Sequence, residues 1–272
     1  MQNPHFIGLG EDEFIKEALN IVSKAKEKNI VLRIVGSLAI RLYAENNEIA
    51  KAIYKKRFEK PEQTFADLDL IGYRKQRGDI EKFFTGLQYQ PDRMINRLFG
   101  DRRLIFYHPT GHFSLDIFFN KLEFSHNVML GEKLGEGRLD LCFPSITPAD
   151  TVLGKLQINQ INKKDIIDLM TIFFLKEIGS DEYSINGPHV ARTLSKDWGF
   201  WYDATNNLDK LRHIAGDMLR NNDISESTYS TILERVDKLL QIIEKEPKTD
   251  GWIKRSHTGT KKPWYTEVSD IS

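Results

Sequence analysis

A chain of 272 residues, 40% hydrophobic and 29% charged, carries enough apolar material for one large domain or two modest ones. Lys+Arg and Asp+Glu balance at 39 each, so the total charge demands no nucleic-acid partner, and such a role would need a local patch. The single cysteine, Cys142, excludes an internal disulfide and a cysteine-built zinc site; the apolar runs fall short of the ~20 residues of a membrane span, and the polar start through Glu11-Asp12-Glu13 does not resemble a signal peptide, so no membrane partner and a cytoplasmic protein are expected.

From Glu13 to Lys28, apolar residues at Phe14, Ile15, Ala18, Leu19, Val22 and Ala25 have the spacing of an amphipathic helix that packs on a sheet. Val31 to Val35 reads as a short buried strand running into Gly36-Ser37, and a helical pattern resumes at Leu38, Ala39, Leu42 and Tyr43. A glycine lets a ligand approach the backbone, and Ser37 suits an N-cap, with the free amides of that helix end turned toward an anion such as phosphate. The same turn also reads as a plain cap. Residues 45–63 look helical up to a break at Pro61 and hold Lys51, Lys55, Lys56, Arg57 and Lys60, either a solvated face or a contact for substrate phosphate.

Phe65-Ala66-Asp67-Leu68-Asp69-Leu70-Ile71 follows as a strand. Side chains alternate along a strand, so Asp67 and Asp69 share one face while Leu68 and Leu70 share the other. Two carboxylates in one small space raise each other's pKa unless a cation separates them, and for hard oxygen ligands that cation is Mg²⁺. Aspartates also end strands and shape turns, which is the plainer alternative.

Gln76–Leu87 and Arg93–Phe99 are predicted helices, and Arg93, Arg97, Arg102 and Arg103 make a loose basic cluster of the kind usually solvated. Strands from Arg103 and from Phe113, joined through His108-Pro109-Thr110-Gly111, read as a hairpin. In the second strand Asp116 shares a face with His112 and Ser114, and an aspartate among bulky apolar neighbours needs either an edge position or a cation. Irregular strands are expected around Gly131, Gly135 and Gly137, and Leu141 and Phe143 predict that the Cys142 thiol between them is buried.

After Thr147-Pro148-Ala149-Asp150, a cap followed by proline, no further strand is expected, and helices are predicted at 148–160, 163–177, 188–199, 207–221 and 224–245. Asn162 to Asp165 reads as another cap. The expected organisation is an α/β domain over 1–147 with a mixed sheet flanked by helices, an all-helical domain over 148–246, and a polar tail over 247–272. Interleaved Trp252, Lys254, Arg255, Lys261, Lys262, Trp264 and Tyr265 in that tail suit either single-stranded nucleic acid or docking on the chain's own domain.

A glycine-serine turn, an Asp-x-Asp strand and a lone aspartate on a later strand together describe a two-metal phosphoryl-transfer site. Val35-Gly36-Ser37, Asp67-Leu68-Asp69 and Ser114-Leu115-Asp116-Ile117 resemble the pattern of the DNA polymerase beta-like nucleotidyltransferase superfamily. Within it, Asp150-Thr151-Val152-Leu153-Gly154-Lys155-Leu156 and Lys164-Asp165-Ile166-Ile167-Asp168-Leu169 look like the lysine and lysine-aspartate helices of AbiEii-type toxins, which belong to bacterial abortive-infection systems and are restrained by an antitoxin protein. The resemblance runs from about residue 30 to 177. Two departures stand out: Gly36 and Asp67 lie thirty-one positions apart, farther than the family's usual gap, and Asn159, Gln160 and Asn162 stand where the AbiEii pattern often has an arginine.

The resemblance implies two Mg²⁺ held by Asp67, Asp69 and Asp116, with Asp116 taking the proton of the attacking hydroxyl and Gly36 and Ser37 cradling the β- and γ-phosphates of an NTP. It implies that Lys155 neutralises triphosphate charge and that Asp165 positions Lys155 or the acceptor, which would be RNA or protein. Two other functions remain open: a non-catalytic module on the same fold that binds NTP or RNA, and a small-molecule nucleotidyltransferase acting on an aminoglycoside-like compound.

Overall fold

A computed structural model of the chain describes residues 9–58 and 65–267. The break expected at Pro61 and the cation expected at Lys60 lie outside the described residues. The chain forms two compact units. The first takes in the described residues up to Ala39, the stretch from Phe65 to Leu122, and Met129–Ile146; the second takes in Ile40 to Phe58, Glu123–Val128 and the chain from Thr147. The segments 40–58 and 123–128, which composition groups with the α/β part, therefore pack with the helical part.

The first unit is built on a five-stranded mixed sheet in the order β1-β2-β5-β4-β3: β1 (Leu32–Ile34), β2 (Asp67–Gly72), β3 (Gln90–Pro91), β4 (Arg103–Tyr107) and β5 (Ser114–Phe119). β2 and β5 run parallel, and the other neighbouring pairs are antiparallel. Leu68 and Leu70 on β2 and Leu115 and Ile117 on β5 are fully buried. Each such side chain contributes roughly 1.5–3 kcal/mol. Because strand side chains alternate, that burial commits Asp67, Asp69, Ser114 and Asp116 to the opposite face.

Helix α1 (Glu11–Glu27) buries Phe14, Ala18, Val22 and Ala25 of the predicted stripe and adds Ile21, whereas Ile15 and Leu19 stay half-buried at its flank. The Phe14 ring stacks on Phe65 at 4.9 Å and meets Phe113 edge-on at 5.1 Å. Helix α4 (Arg77–Gly86) buries Ile80, Phe83 and Phe84, the last with its ring 5.2 Å from that of Phe106. Helix α5 (Arg93–Phe99) falls where predicted, capped by Asp92, and its buried Asn96 exchanges hydrogen bonds of 2.9 and 2.7 Å with the backbone of Ile105. Cys142 is half-buried, and Leu141 and Phe143 are exposed, contrary to expectation. The Phe143 ring faces two cations, Lys26 at 4.6 Å and Arg33 at 5.4 Å, which explains its stable place at the surface.

Helix α2 (Gly36–Tyr43) carries the chain from the first unit into the second. Helix α3 (Glu48–Lys55) is capped by Asn47. Two short strands, β6 (Lys121–Glu123) and β7 (Asn127–Met129), precede a stretch that holds only a 3₁₀ turn at Arg138–Asp140, so the strands expected around Gly131 to Gly137 do not form. Arg138 N–H donates to the carbonyl of Leu130 at 2.8 Å, and the three glycines allow a compact loop instead.

In the second unit α6 (Pro148–Leu156) and α7 (Lys163–Leu175) start at the predicted caps, Thr147 and Asn162. Two two-residue strands that pair in parallel, β8 (Ile178–Gly179) and β9 (Ile185–Asn186), interrupt the helices where no strand was expected. Helix α8 (Gly187–Leu194) is followed by α9 (Trp198–Arg220), which runs unbroken through 200–206, predicted as a gap. Asp197 caps α9, and burial of Phe200, Ala204 and Leu208 continues its inner stripe past the bulky aromatics. Helix α10 (Glu226–Lys245) follows.

The tail contains α11 (Asp250–Ser256) and docks on its own unit. Trp264 donates its indole N–H to Asp203 at 3.0 Å, and Asp203 also accepts from Asn159 at 2.9 Å and pairs with His126 at 2.7 Å. Among the described residues no helix is long and apolar enough to cross a membrane.

Candidate active site

The parallel pairing of β2 with β5 sets Asp69 directly opposite Asp116 and Asp67 opposite Ser114. Neighbouring strands lie about 4.8 Å apart, so carboxylates in register on one face are within reach of a single cation. Ser114 donates its hydroxyl to Asp67 Oδ1. Asp116 Oδ2 pairs with Arg103 Nη2 at 2.8 Å, while Asp116 Oδ1 is buried with no hydrogen-bond partner among the described residues. Burial pushes the Asp116 carboxyl up, Arg103 pulls it down, and Asp69 and Asp67 push it up again, leaving it at about 7.

Gly36 adjoins this pair. Its φ of +68° is the left-handed conformation that side chains disfavour, and a Cβ there would stand 2.9 Å from Asp69 Oδ2. The Val35 N–H donates to the Asp69 carbonyl at 3.0 Å, which holds the turn against β2. Helix α2 opens at this Gly36-Ser37 turn.

The structure thus places Asp67, Asp69 and Asp116 on one face of the β2–β5 pair, with Gly36 against Asp69 and Ser37 next in sequence, all in the first unit. Lys155 and Asp165 belong to the second unit, where they join each other: Lys155 Nζ lies 2.6 Å from Asp165 Oδ1 and 2.8 Å from Asp168 Oδ2. Burial lowers the lysine's pKa, and Asp168 and Asp165 together more than reverse this, so it stays charged. Arg57 Nε reaches Asp168 Oδ1 at 3.0 Å. Lys51 pairs with Glu48 at 3.0 Å and Lys56 with Asp223 at 2.9 Å, so three cations of the basic segment are engaged by carboxylates within their own unit.

Two residues sequence reasoning missed are Arg103 and Ser114. Arg103 was grouped with the solvated arginines, yet it turns onto Asp116 while Arg93, Arg97 and Arg102 stay exposed. Strand alternation had placed Ser114 on the face of Asp116, but only the β2–β5 register reveals its partner.

Among the described residues no three His, Cys, Asp or Glu side chains stand gathered as a ready metal centre. The donor set nevertheless fits a hard divalent cation. Asp116 Oδ1 is a buried carboxylate oxygen with no donor among the described residues, which suits such an ion. Ser114 engages Asp67 Oδ1 and Arg103 engages Asp116 Oδ2, which leaves Asp116 Oδ1 as the open oxygen.

The raised Asp116 pKa has a consequence for stability without metal. The fold favours the protonated acid, so the stabilisation from this group is complete below the ordinary carboxylate range and is lost as pH rises through about 7. Urea unfolding in EDTA should show the parent losing stability relative to Asp116→Asn across that window, by at most roughly 4 kcal/mol. Parallel profiles would show that Asp116 ionises as it does in the unfolded chain.

No protein-family model matches the chain, and no curated protein matches it. Two solved structures are similar to it. One is the antibiotic-resistance factor ANT(2'')-Ia, at 14% identity over 60% of this chain and 84% of that one, with a TM-score of 0.35. The other is an antigenic nucleotidyltransferase-like protein from Paracoccidioides brasiliensis, at 14% identity over 82% of this chain and 94% of that one, with a TM-score of 0.42. What the residues can do rests on their own geometry.

Proposed function

We propose that this chain is a nucleotidyltransferase, moving a nucleoside monophosphate from an NTP to a hydroxyl acceptor. The observation that carries the proposal is the in-register Asp69–Asp116 pair beside Gly36, with a buried Asp116 oxygen lacking a donor. Asp67, Asp69 and Asp116 would hold two Mg²⁺, which when bound supply charge stabilisation for the phosphates and lower the pKa of the attacking hydroxyl. Gly36, with no side chain between its backbone and the carboxylates, leaves room for phosphate oxygens, and Ser37 sits in the same turn.

The acceptor hydroxyl attacks the α-phosphorus, the bond from that phosphorus to its bridging oxygen breaks, and pyrophosphate leaves with the bonding electrons. Asp116 is the residue proposed to take the hydroxyl proton. Lys155, held charged by Asp165 and Asp168, is proposed as a counter-charge for the triphosphate. The AbiEii-like sequence pattern extends the proposal to a toxin acting on RNA or protein and restrained by an antitoxin.

One observation favours the non-catalytic module instead: Arg103 already neutralises Asp116. Incubation with each labelled NTP and Mg²⁺, together with total RNA, cell protein, an aminoglycoside or no acceptor, separates the two. Transfer that disappears in Asp67→Ala while the fold is retained supports the enzyme. Binding of NTP with no transfer to any acceptor supports the module.

A further inference from the structure

Past the two residues of β3, the edge of β4 is taken by helix α5, whose inner side chain Asn96 exchanges hydrogen bonds with the backbone of Ile105. Successive helical residues turn by about 100°, so the inward arc of α5 runs through Ile95, Phe99 and Asn96 and the outward arc through Arg93, Arg97, Met94 and Leu98, in that order. The outward arc is therefore two parallel rails at i,i+4 spacing, one of arginines and one apolar. Met94 and Leu98 are 65% and 68% exposed, and among the described large apolar side chains only Tyr183 is more so.

The arginine rail is unmatched within the chain. Arg93 and Arg97 are exposed, as is Arg102 just beyond the helix, and none of the three has a carboxylate partner among the described residues. The neighbouring acids are occupied: Asp92 caps α5 and accepts the Tyr107 hydroxyl at 2.9 Å, and Asp101 pairs with Arg74 at 2.8 Å. Like charges at i,i+4 destabilise a helix, so this rail is a burden on α5 unless something outside the chain neutralises it.

Charge and polarity choose among the occupants of such a face. A second copy of this chain would set arginine against arginine, with no carboxylate on the face to separate them. RNA would neutralise the arginines but leave Met94 and Leu98 in water, and the outward arc offers no aromatic ring on which a base stacks. A helix with an acidic rail beside an apolar one matches both rails at once, and methionine and arginine are side chains in which protein interfaces are enriched.

We propose that the outer face of α5 is a docking surface for an acidic amphipathic helix of a partner protein. Met94 and Leu98 receive its apolar side chains, Arg93 and Arg97 its carboxylates, and Arg102 adds positive charge beyond the end of α5. Asn96 fastens α5 to the sheet, so the face is already ordered before the partner arrives. None of these side chains belongs to the carboxylate site, and the proposal stands apart from the catalytic reading.

The test is fluorescence anisotropy of the full chain with three labelled probes. One is a synthetic amphipathic helix of about 18 residues, long enough to form in water, with leucines on one rail and glutamates on the next. The second is its twin with lysines in place of the glutamates, and the third is a single-stranded RNA. The glutamate helix is expected to bind the parent about tenfold more tightly than its twin, more tightly than the RNA, and less tightly as salt is added. Arg93→Glu with Arg97→Glu is expected to reverse the preference between the two helices. Met94→Ser with Leu98→Ser is expected to weaken the glutamate helix about tenfold. No binding of the glutamate helix, tighter binding of the RNA, or a preference that the arginine reversal leaves unchanged overturns the proposal. Should that reversal fail to fold, Arg93→Gln with Arg97→Gln decides: the glutamate helix is expected to lose its advantage over the twin, and an advantage kept overturns the proposal.

Discussion

Asp69→Asn is expected to reduce nucleotidyl transfer by about 10³-fold or more, on the scale of losing a preorganised charge at the reacting phosphate. The substitution is nearly isosteric, so β2 keeps its register and the Asp69 carbonyl keeps the Val35 N–H at 3.0 Å. What changes is charge: a neutral amide is a poor ligand for a hard cation, and Asp69 is the carboxylate set directly opposite Asp116. Stability should hold or rise slightly, because one of the like charges that push up the Asp116 pKa disappears. Single-turnover transfer of labelled nucleotide, measured beside a thermal melt, checks both halves. Residual transfer within tenfold of the parent would remove Asp69 from the chemistry.

The largest effect on stability is expected in the second unit. Asp168→Asn should lower the unfolding free energy by roughly 3–5 kcal/mol, the usual cost of breaking a buried pair on one side only. The Asp168 side chain is fully buried between two cations, with Lys155 Nζ at 2.8 Å and Arg57 Nε at 3.0 Å. Removing its charge leaves Arg57 without a carboxylate partner here and leaves Lys155 with Asp165 alone. Asp165→Asn should cost less, since that carboxylate is partly exposed and Lys155 retains Asp168. Urea denaturation followed by far-UV circular dichroism reads the difference. A loss under about 1 kcal/mol for Asp168→Asn would mean that water reaches the two cations as readily as the carboxylate does.

The helices whose apolar spacing and caps are local were legible as text. The stripe of α1, the Thr147 cap with proline behind it and the Asn162 cap all appear where periodicity and side-chain chemistry put them. Asn162 illustrates a finer point. Its side chain accepts the Asp165 N–H at 3.0 Å, whereas the Asp165 carboxylate turns away to Lys155 and does not complete a reciprocal capping box. Asp197 was the cap that went unread, and without it the aromatic run after Lys196 looked like the end of a helix rather than the first turn of α9.

Residues whose partners lie far along the chain were not legible in this way. The departure at Asn159 and Asn162 from the arginine of the toxin pattern looked like a question about activity, yet both side chains have structural tasks, Asn159 on Asp203 and Asn162 at the start of α7. The basic segment read as either a solvated face or a phosphate contact, and its cations Lys51, Lys56 and Arg57 pair with carboxylates in their own unit. The surface place of Phe143 likewise goes with two cations, Lys26 and Arg33, that sequence distance hid.

By itself the sequence determined that Asp67 and Asp69 leave β2 on one side and that Asp116 leaves β5 opposite its apolar neighbours, because alternation along a strand depends only on adjacent residues. It also determined that Gly36 could take a backbone shape closed to other residues. Only the tertiary structure decided that β5 lies parallel against β2 with Asp116 level with Asp69, and that Arg103 pairs with Asp116. Those choices belong to register, which is set by the joint burial of Leu68, Leu70, Leu115 and Ile117 between segments more than forty residues apart. No local rule of spacing carries that information.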